Sequence, residues 1–161
     1  AVAVMQTAQP QGINNLIFAL EGDLIYGQSF FTVRLPSGRK LYYARPFLKD
    51  VEDPQGRVKP ALHYYGVNQQ SKKWTVDHSY GGKMTENIVQ AIARDCLAVT
   101  LERIAARGLQ VVFHVHDEVI IDAPMETTVE EICSLMAEPI PWAPGLILKG
   151  AGFENGYYMK D

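Results

Sequence analysis

His114–Pro124, read as HVHDEVIIDAP, is the stretch on which the fold turns. Apolar β-branched residues lie on both sides of His116-Asp117, as LQVVFHV before and EVIID after, so the segment reads as two strands joined by a tight turn. Two apolar arms predict a backbone held inside the fold, with only the tip free to present charge. An adjacent Asp117 and Glu118 at that tip are costly unless they meet water, a base or a cation, because burying an unpaired carboxylate costs several kcal/mol. Hard divalent ions such as magnesium suit one or two carboxylates and leave room for phosphate oxygens. Taken alone, an Asp-Glu pair is more often a solvent-exposed acidic turn.

Outward from the hairpin, the elements follow a consistent order. Lys83–Arg107 carries Ile88, Ala91, Ile92, Leu97, Leu101 and Ile104 at helical spacing, and Gly108 stands where a C-terminal cap belongs. Thr127-Thr128-Val129-Glu130 opens the next helix with a capping-box pattern, and Pro139 ends it. Leu146–Leu148 reads as a last strand before the tail, residues 152–161. Upstream, SFFTVRL and RKLYYAR flank Pro36-Ser37-Gly38 as a hairpin, KPALHYYGV follows as a third strand, and KDVEDPQGR between them reads as an exposed loop. Residues 12–22 read as a helix, with Leu16, Ile17 and Leu20 on one side and Pro10 and Gly22 as punctuation. The sum is α+β: a small antiparallel sheet with packed helices, in one domain over 1–161. Within it lie a helical N-terminal segment (1–23), a β-rich segment (24–79) and a helix–hairpin–helix–strand segment (80–161).

Composition narrows the classes. The 161 residues are 47% hydrophobic and 20% charged, which excludes a disordered chain. No apolar run approaches the ~20 residues of a membrane span, and no basic-then-apolar leader opens the chain. The absence of an initiating methionine predicts a fragment or a processed product. Two distant cysteines, Cys96 and Cys133, predict a reduced, intracellular setting without a zinc site. The net charge of -3 hides a polarity: Leu24–Arg94 holds 11 Lys and Arg against 5 Asp and Glu, whereas 100–161 holds 4 against 10. Tyr42, Tyr43, Tyr64 and Tyr65, interleaved with Arg34, Arg39, Lys40 and Arg45, offer a base-stacking and phosphate-binding surface. The preferred reading is that these tyrosines pack across paired strands.

HVHDEVIIDAP resembles motif C of the family A, DNA polymerase I-like, DNA polymerases. LPSGRKLYY (35–43), YGGKMTENIVQAIARD (80–95) and PWAPGLILKGAGFENGYYMKD (141–161) resemble the phage-type branch of that family in order and spacing, from about Phe30 onward. The resemblance implies the C-terminal palm portion of a template-directed polymerase using two metal ions, Mg2+ with Mn2+ able to substitute. Asp117 is then a catalytic metal ligand, Glu118 supports the metal or its water, and His116 positions the primer terminus. His114 carries no implied role and reads as a partly buried strand residue bonded to backbone. The helix from Lys83 resembles the one lying along the minor groove of the primer–template duplex. Asn87 and Gln90 are amides suited to the acceptors common to all base pairs, Lys83 and Arg94 are suited to phosphates, and Tyr80 joins them as a DNA-binding candidate. Cellular members carry Gln-Gly-Thr-Ala-Ala-Asp where this chain has Gly82–Asn87, so individual contacts do not transfer.

The family also needs a second metal-binding aspartate, in a motif of the Asp-Tyr-Ser-Gln-Ile-Glu type, and a fingers helix gripping the triphosphate. Neither is in the chain; Asp50, Asp53 and Asp77 stand in other contexts. The resemblance therefore implies partners: primer–template DNA, deoxynucleoside triphosphates and an upstream polymerase region, with no membrane, in the cytoplasm of a bacterium or phage-infected cell. The isolated chain is expected to be inactive. Two other classes are a complementing DNA-binding subunit of a split polymerase, and a metal-dependent nuclease using His114, His116 and Asp117.

Overall fold

The computed structural model describes residues 1–23, 28–68 and 70–159. The described chain is α+β and divides into two compact units, Ala1–Val89 and Gln90–Asp161. The ends of two sequence segments, Leu24–Gly27 and Lys160–Asp161, lie outside the described residues.

The first unit is an antiparallel meander of β1 (Gln11–Ile13), β2 (Leu16–Asp23), β3 (Gln28–Arg34), β4 (Lys40–Glu52), β5 (Val58–Val67) and β6 (Trp74–Ser79), each strand beside the next. Alternation along the strands places Phe18, Phe31, Val33, Tyr43 and Leu62 on one buried face. A short helix, α1 (Val2–Thr7), packs against β2, β4 and β5 and inserts Val4, fully buried. The hairpin at Pro36-Ser37-Gly38 forms where the sequence places it. Gly38 takes φ 89°, and its N–H donates to the Leu35 carbonyl at 2.9 Å.

The second unit holds the C-terminal part of α2 (Gly81–Ala106), the hairpin of β7 (Gln110–Val115) and β8 (Glu118–Asp122), α3 (Val129–Ala137) and a tail without regular structure. Gly108, at φ 75°, ends α2 as the sequence indicates. Arg103 ties α2 to the end of α3: its guanidinium donates to the carbonyls of Glu138 at 2.9 Å and Pro139 at 2.6 Å and pairs with the Glu138 carboxylate at 3.3 Å. A cation is thereby set on the orphan carbonyls at a helix C-terminus, where the dipole favours it. Ile104, Leu135 and Ile140 are the unit's most buried aliphatic side chains.

Several expectations are corrected. Residues 12–22 form a hairpin, not a helix: Asn14 adopts φ 52°, a left-handed turn that asparagine tolerates, and Ile13 pairs with Leu16. The N-terminal helix lies instead at Val2–Thr7. The expected loop 49–57 shrinks to a turn. β4 runs through Glu52, and the Asp53 carboxylate accepts from the backbone N–H groups of Gln55 and Arg57, both at 3.0 Å, closing the chain in five residues. β6 is an unforeseen strand. Capping of α3 falls one residue later than read, with the Thr128 hydroxyl accepting from Glu131 N–H at 3.2 Å. Leu146–Leu148 is not a strand; this tail reaches α3, where a Cβ on Gly150 would come within 2.9 Å of the Cys133 backbone. The arms of the β7–β8 hairpin are apolar yet open, with Val112 53% exposed. No helix among the described residues is long and apolar enough to cross a membrane. Both cysteines are free thiols.

Arg103→Met keeps the aliphatic stem and removes three charge-assisted interactions, so it should lower the unfolding free energy by about 2 kcal/mol. Urea denaturation followed by circular dichroism measures that loss.

Candidate functional site

In the second unit, His116 and Asp117 are themselves the two-residue turn joining β7 to β8, closed by the Val115–Glu118 pair. Strand alternation therefore does not apply to them. His116 adopts φ 51°, within the left-handed region that histidine enters more readily than branched residues do. Asp117 is exposed, and Glu118 is half-buried at the root of the turn. His114 pairs with Val119 and is exposed, which corrects the expectation of a partly buried residue bonded to backbone. Phe113 lies edge-on to Tyr158 of the tail, with ring centroids 5.0 Å apart.

The donor set at the turn is carboxylate oxygen from adjacent residues. It fits a hard cation completed by phosphate or water, and it supplies only part of a coordination sphere. Among the described residues no three His, Cys, Asp or Glu side chains gather as a metal-binding group, so the set His114, His116 and Asp117 required by a nuclease reading is not assembled. On α2 in this unit, Gln90 and Arg94 stand one turn apart and both are exposed.

The first unit contains the other candidates. Tyr80 precedes α2 and is 64% exposed, and its carbonyl accepts the Met84 N–H. Its ring lies so close over the first turn that a Cβ on Gly82 would come within 3.0 Å. Lys83 is not a free surface cation: its ammonium donates to the Asp77 carboxylate at 2.7 Å and to the His78 carbonyl at 3.3 Å. Tyr64 donates its hydroxyl to the same Asp77 carboxylate at 3.3 Å. Asn87, one turn after Lys83, donates to the Tyr43 hydroxyl at 3.2 Å. The polar end of this helix is thus fastened to the sheet by the two tyrosines of the buried face.

Burial resists charge on both members of the ion pair but is outweighed. The Lys83 hydrogen bond and the His78 N–H hold the Asp77 carboxyl below its usual range, while Asp77 and Tyr64 hold Lys83 above its own. Burial pushes the Tyr64 phenol up. Sequence reading set Asp77 aside, and its role is visible only once β6 brings it beside Tyr64. The four tyrosines divide by parity: Tyr43 and Tyr64 face the core, whereas Tyr42 is 59% exposed and Tyr65 half-buried.

Over 138 residues, 85% of its length, the chain is 46% identical to a DNA polymerase of Bacillus phage SP02. This chain is similar to part of a phage DNA polymerase. It spans about a fifth of the relative, since the matched stretch is 21% of that protein. A match of this length in a chain of 161 necessarily includes the His116–Asp117 turn. No family model matches the chain, and no solved structure matches it.

The Asp77–Lys83 pair makes stability depend on pH in a defined sense. Asp77 is depressed in the fold, so its contribution is present above the unfolded-chain value of about 3.9 and is lost as pH falls through the folded value. Lys83 is raised, so its contribution is present below the ordinary 10.5 and is lost as pH rises through the folded value. With the side chains 40% and 31% exposed, the pair contributes at most about 1 kcal/mol. In urea titrations from pH 2 to 7, the advantage of the native chain over Asp77→Asn should shrink as pH drops below about 4.

Proposed function

We propose that this chain is the C-terminal palm portion of a template-directed DNA polymerase of the family A, phage type. The observation that carries the reading is the exposed Asp117 on a two-residue turn, inside a stretch matched to a phage DNA polymerase. Nucleotidyl transfer needs attack of the primer 3′ oxygen on the α-phosphorus of a deoxynucleoside triphosphate, with departure of pyrophosphate. Its charge development calls for carboxylates that gather cations without competing for the phosphates. Asp117, with Glu118 beside it, would hold Mg2+, or Mn2+ in its place. Bound there, the cation supplies Lewis-acid stabilisation of the phosphoryl oxygens.

The protein's own residues do the remaining positioning. His116 and Asp117 are both exposed in the turn and lie outside the paired backbone, so His116 is free to meet the primer terminus while Asp117 meets the cation. Asn87 and Gln90 offer amide donors to minor-groove acceptors, Arg94 offers charge to phosphate, and Tyr80 offers an exposed ring. Lys83 acts through Asp77 as much as toward DNA: its ion pair sets the start of α2 and leaves part of its charge for a nearby phosphate. The partners are primer–template DNA, deoxynucleoside triphosphates and the remaining polymerase region, in the cytoplasm of a bacterial or phage-infected cell.

In the complete enzyme, Asp117→Ala should reduce primer extension at least ~10³-fold, as expected where metal-borne charge stabilisation supplies several kcal/mol. Primer–template affinity should stay within about threefold, equivalent to under 1 kcal/mol. Equal loss of both would overturn the assignment of Asp117. The 161-residue chain alone should give no extension product with magnesium or manganese in a radiolabelled primer assay. Robust synthesis by it would contradict the division of the carboxylates between this portion and another.

A further inference from the structure

The face of the meander opposite the core carries a pattern that the polymerase reading does not use. Cross-strand pairing puts Phe47, His63 and His78 side by side on β4, β5 and β6, and their rings stack in a column with centroids 5.3 and 5.6 Å apart. The column ends at His78, exposed on the last strand of the sheet. Two and four residues away along β6, on the same face, stand Val76 and Trp74, the latter 59% exposed and paired with Val67, itself 52% exposed. Phe47 is half-buried and His63 is buried inside the column, so the open rings are His78 and Trp74, and exposed rings on a sheet are what unpaired bases stack on.

From the bulge of β4 through β6 the charge on this face has one sign; the carboxylates of the same face, Glu21 and Asp23, stand on β2, where Glu21 pairs with Lys40. Along β4 the outward positions after the bulge are Phe47, Lys49 and Val51. Along β5 they are Lys59, Ala61, His63, Tyr65 and Val67. Arg45, in the bulge itself, lays its guanidinium 5.9 Å from the Tyr65 ring centroid. The carboxylates of these strands fall elsewhere: Asp50, Glu52 and Asp77 alternate to the opposite face, and Asp53 sits in the turn, 3.8 Å from the Lys59 ammonium. Rings flanked by cations and cleared of acids are complementary to a strand that is aromatic and anionic at once. A duplex hides its base faces and could use only the cations. An acidic protein segment could use only the cations as well.

We propose that this outer face of β4–β6 binds an unpaired polynucleotide strand. One base extends the histidine column beyond His78, another stacks on Trp74, and phosphates meet Arg45, Lys49 and Lys59. Trp74 and His78 are four residues, about 13 Å, apart along β6, so they address different bases. The site lies wholly within the first unit, is separate from Asp117, and does not depend on the nucleotidyl-transfer reading.

The test is binding of fluorescein-labelled dT15 to this chain, followed by anisotropy at several salt concentrations. Quenching of Trp74 emission in a Trp142→Phe background gives a second readout. Expected are Trp74 quenching and an affinity that falls as salt rises. Trp74→Ala should bind about tenfold more weakly and Trp74→Phe should largely retain binding. Arg45→Ala/Lys49→Ala/Lys59→Ala should flatten the salt dependence. Because Trp74 is exposed on the last strand of the sheet, these variants should keep the parental circular dichroism spectrum. Unchanged binding in Trp74→Ala would overturn the proposal. So would equal affinity for a 15-base-pair duplex, or sedimentation showing that a second copy of the chain covers Trp74 and is not displaced by dT15. None of these results would alter the outcome for Asp117.

Discussion

A ladder of four aromatic rings crosses the meander on its buried face. Phe18 meets Phe31 at 6.3 Å between centroids, Phe31 meets Tyr43 at 5.9 Å, and Tyr43 meets Tyr64 at 4.9 Å. Side chains on a strand alternate with period two, so a slip of one residue in any of these pairings would turn a ring into solvent and bring a polar neighbour into the core. Fully burying a ring of this size is worth about 1.5–3 kcal/mol relative to exposure, enough to pin the register of β2 to β5. Everything else in the first unit inherits that register.

The ladder's last two members connect the core to the start of α2. Tyr43 is buried and Tyr64 half-buried, each keeps a polar end, and a hydroxyl withdrawn from water needs a partner. Asn87 and Asp77 supply those partners, and Asp77 in turn holds Lys83. The start of α2 is therefore oriented by the rims of two core tyrosines. The outer face follows from the same alternation: once Tyr43, Leu62 and Tyr64 point inward, Phe47, His63 and Tyr65 must point outward, and the bulge between Ala44 and Phe47 decides where that parity changes. Arg45, at φ 48° inside the bulge, is turned onto Tyr65.

The acidic turn obeys a different constraint. It occupies the shortest connection two antiparallel strands allow, and both of its residues lie outside the ladder of backbone pairs. A short turn holds a carboxylate in place without the entropy of a long loop. The hairpin's apolar arms remain partly open, so its rigidity comes from strand pairing and from the Phe113–Tyr158 ring contact more than from burial.

Local chemistry made much of this legible in the chain itself. Pro36-Ser37-Gly38 marked one hairpin, Gly108 marked the end of α2, and the apolar runs around His116-Asp117 marked the acidic turn, because each depends on residues adjacent in sequence. Residues 12–22 misled because apolar spacing over so short a stretch suits a helix or a strand equally well, and the choice fell to Asn14 and to the pairing of Phe18 with Val33. Asp77 and Trp74 did not stand out in the sequence for a related reason. Nothing beside them in the sequence announces β6, and only pairing with β5 places one carboxylate under Tyr64 and one indole on the opposite, basic face. Which residues can turn is written in neighbouring side chains; which side of a sheet each residue serves depends on partners dozens of positions away, and only the folded chain brings these together.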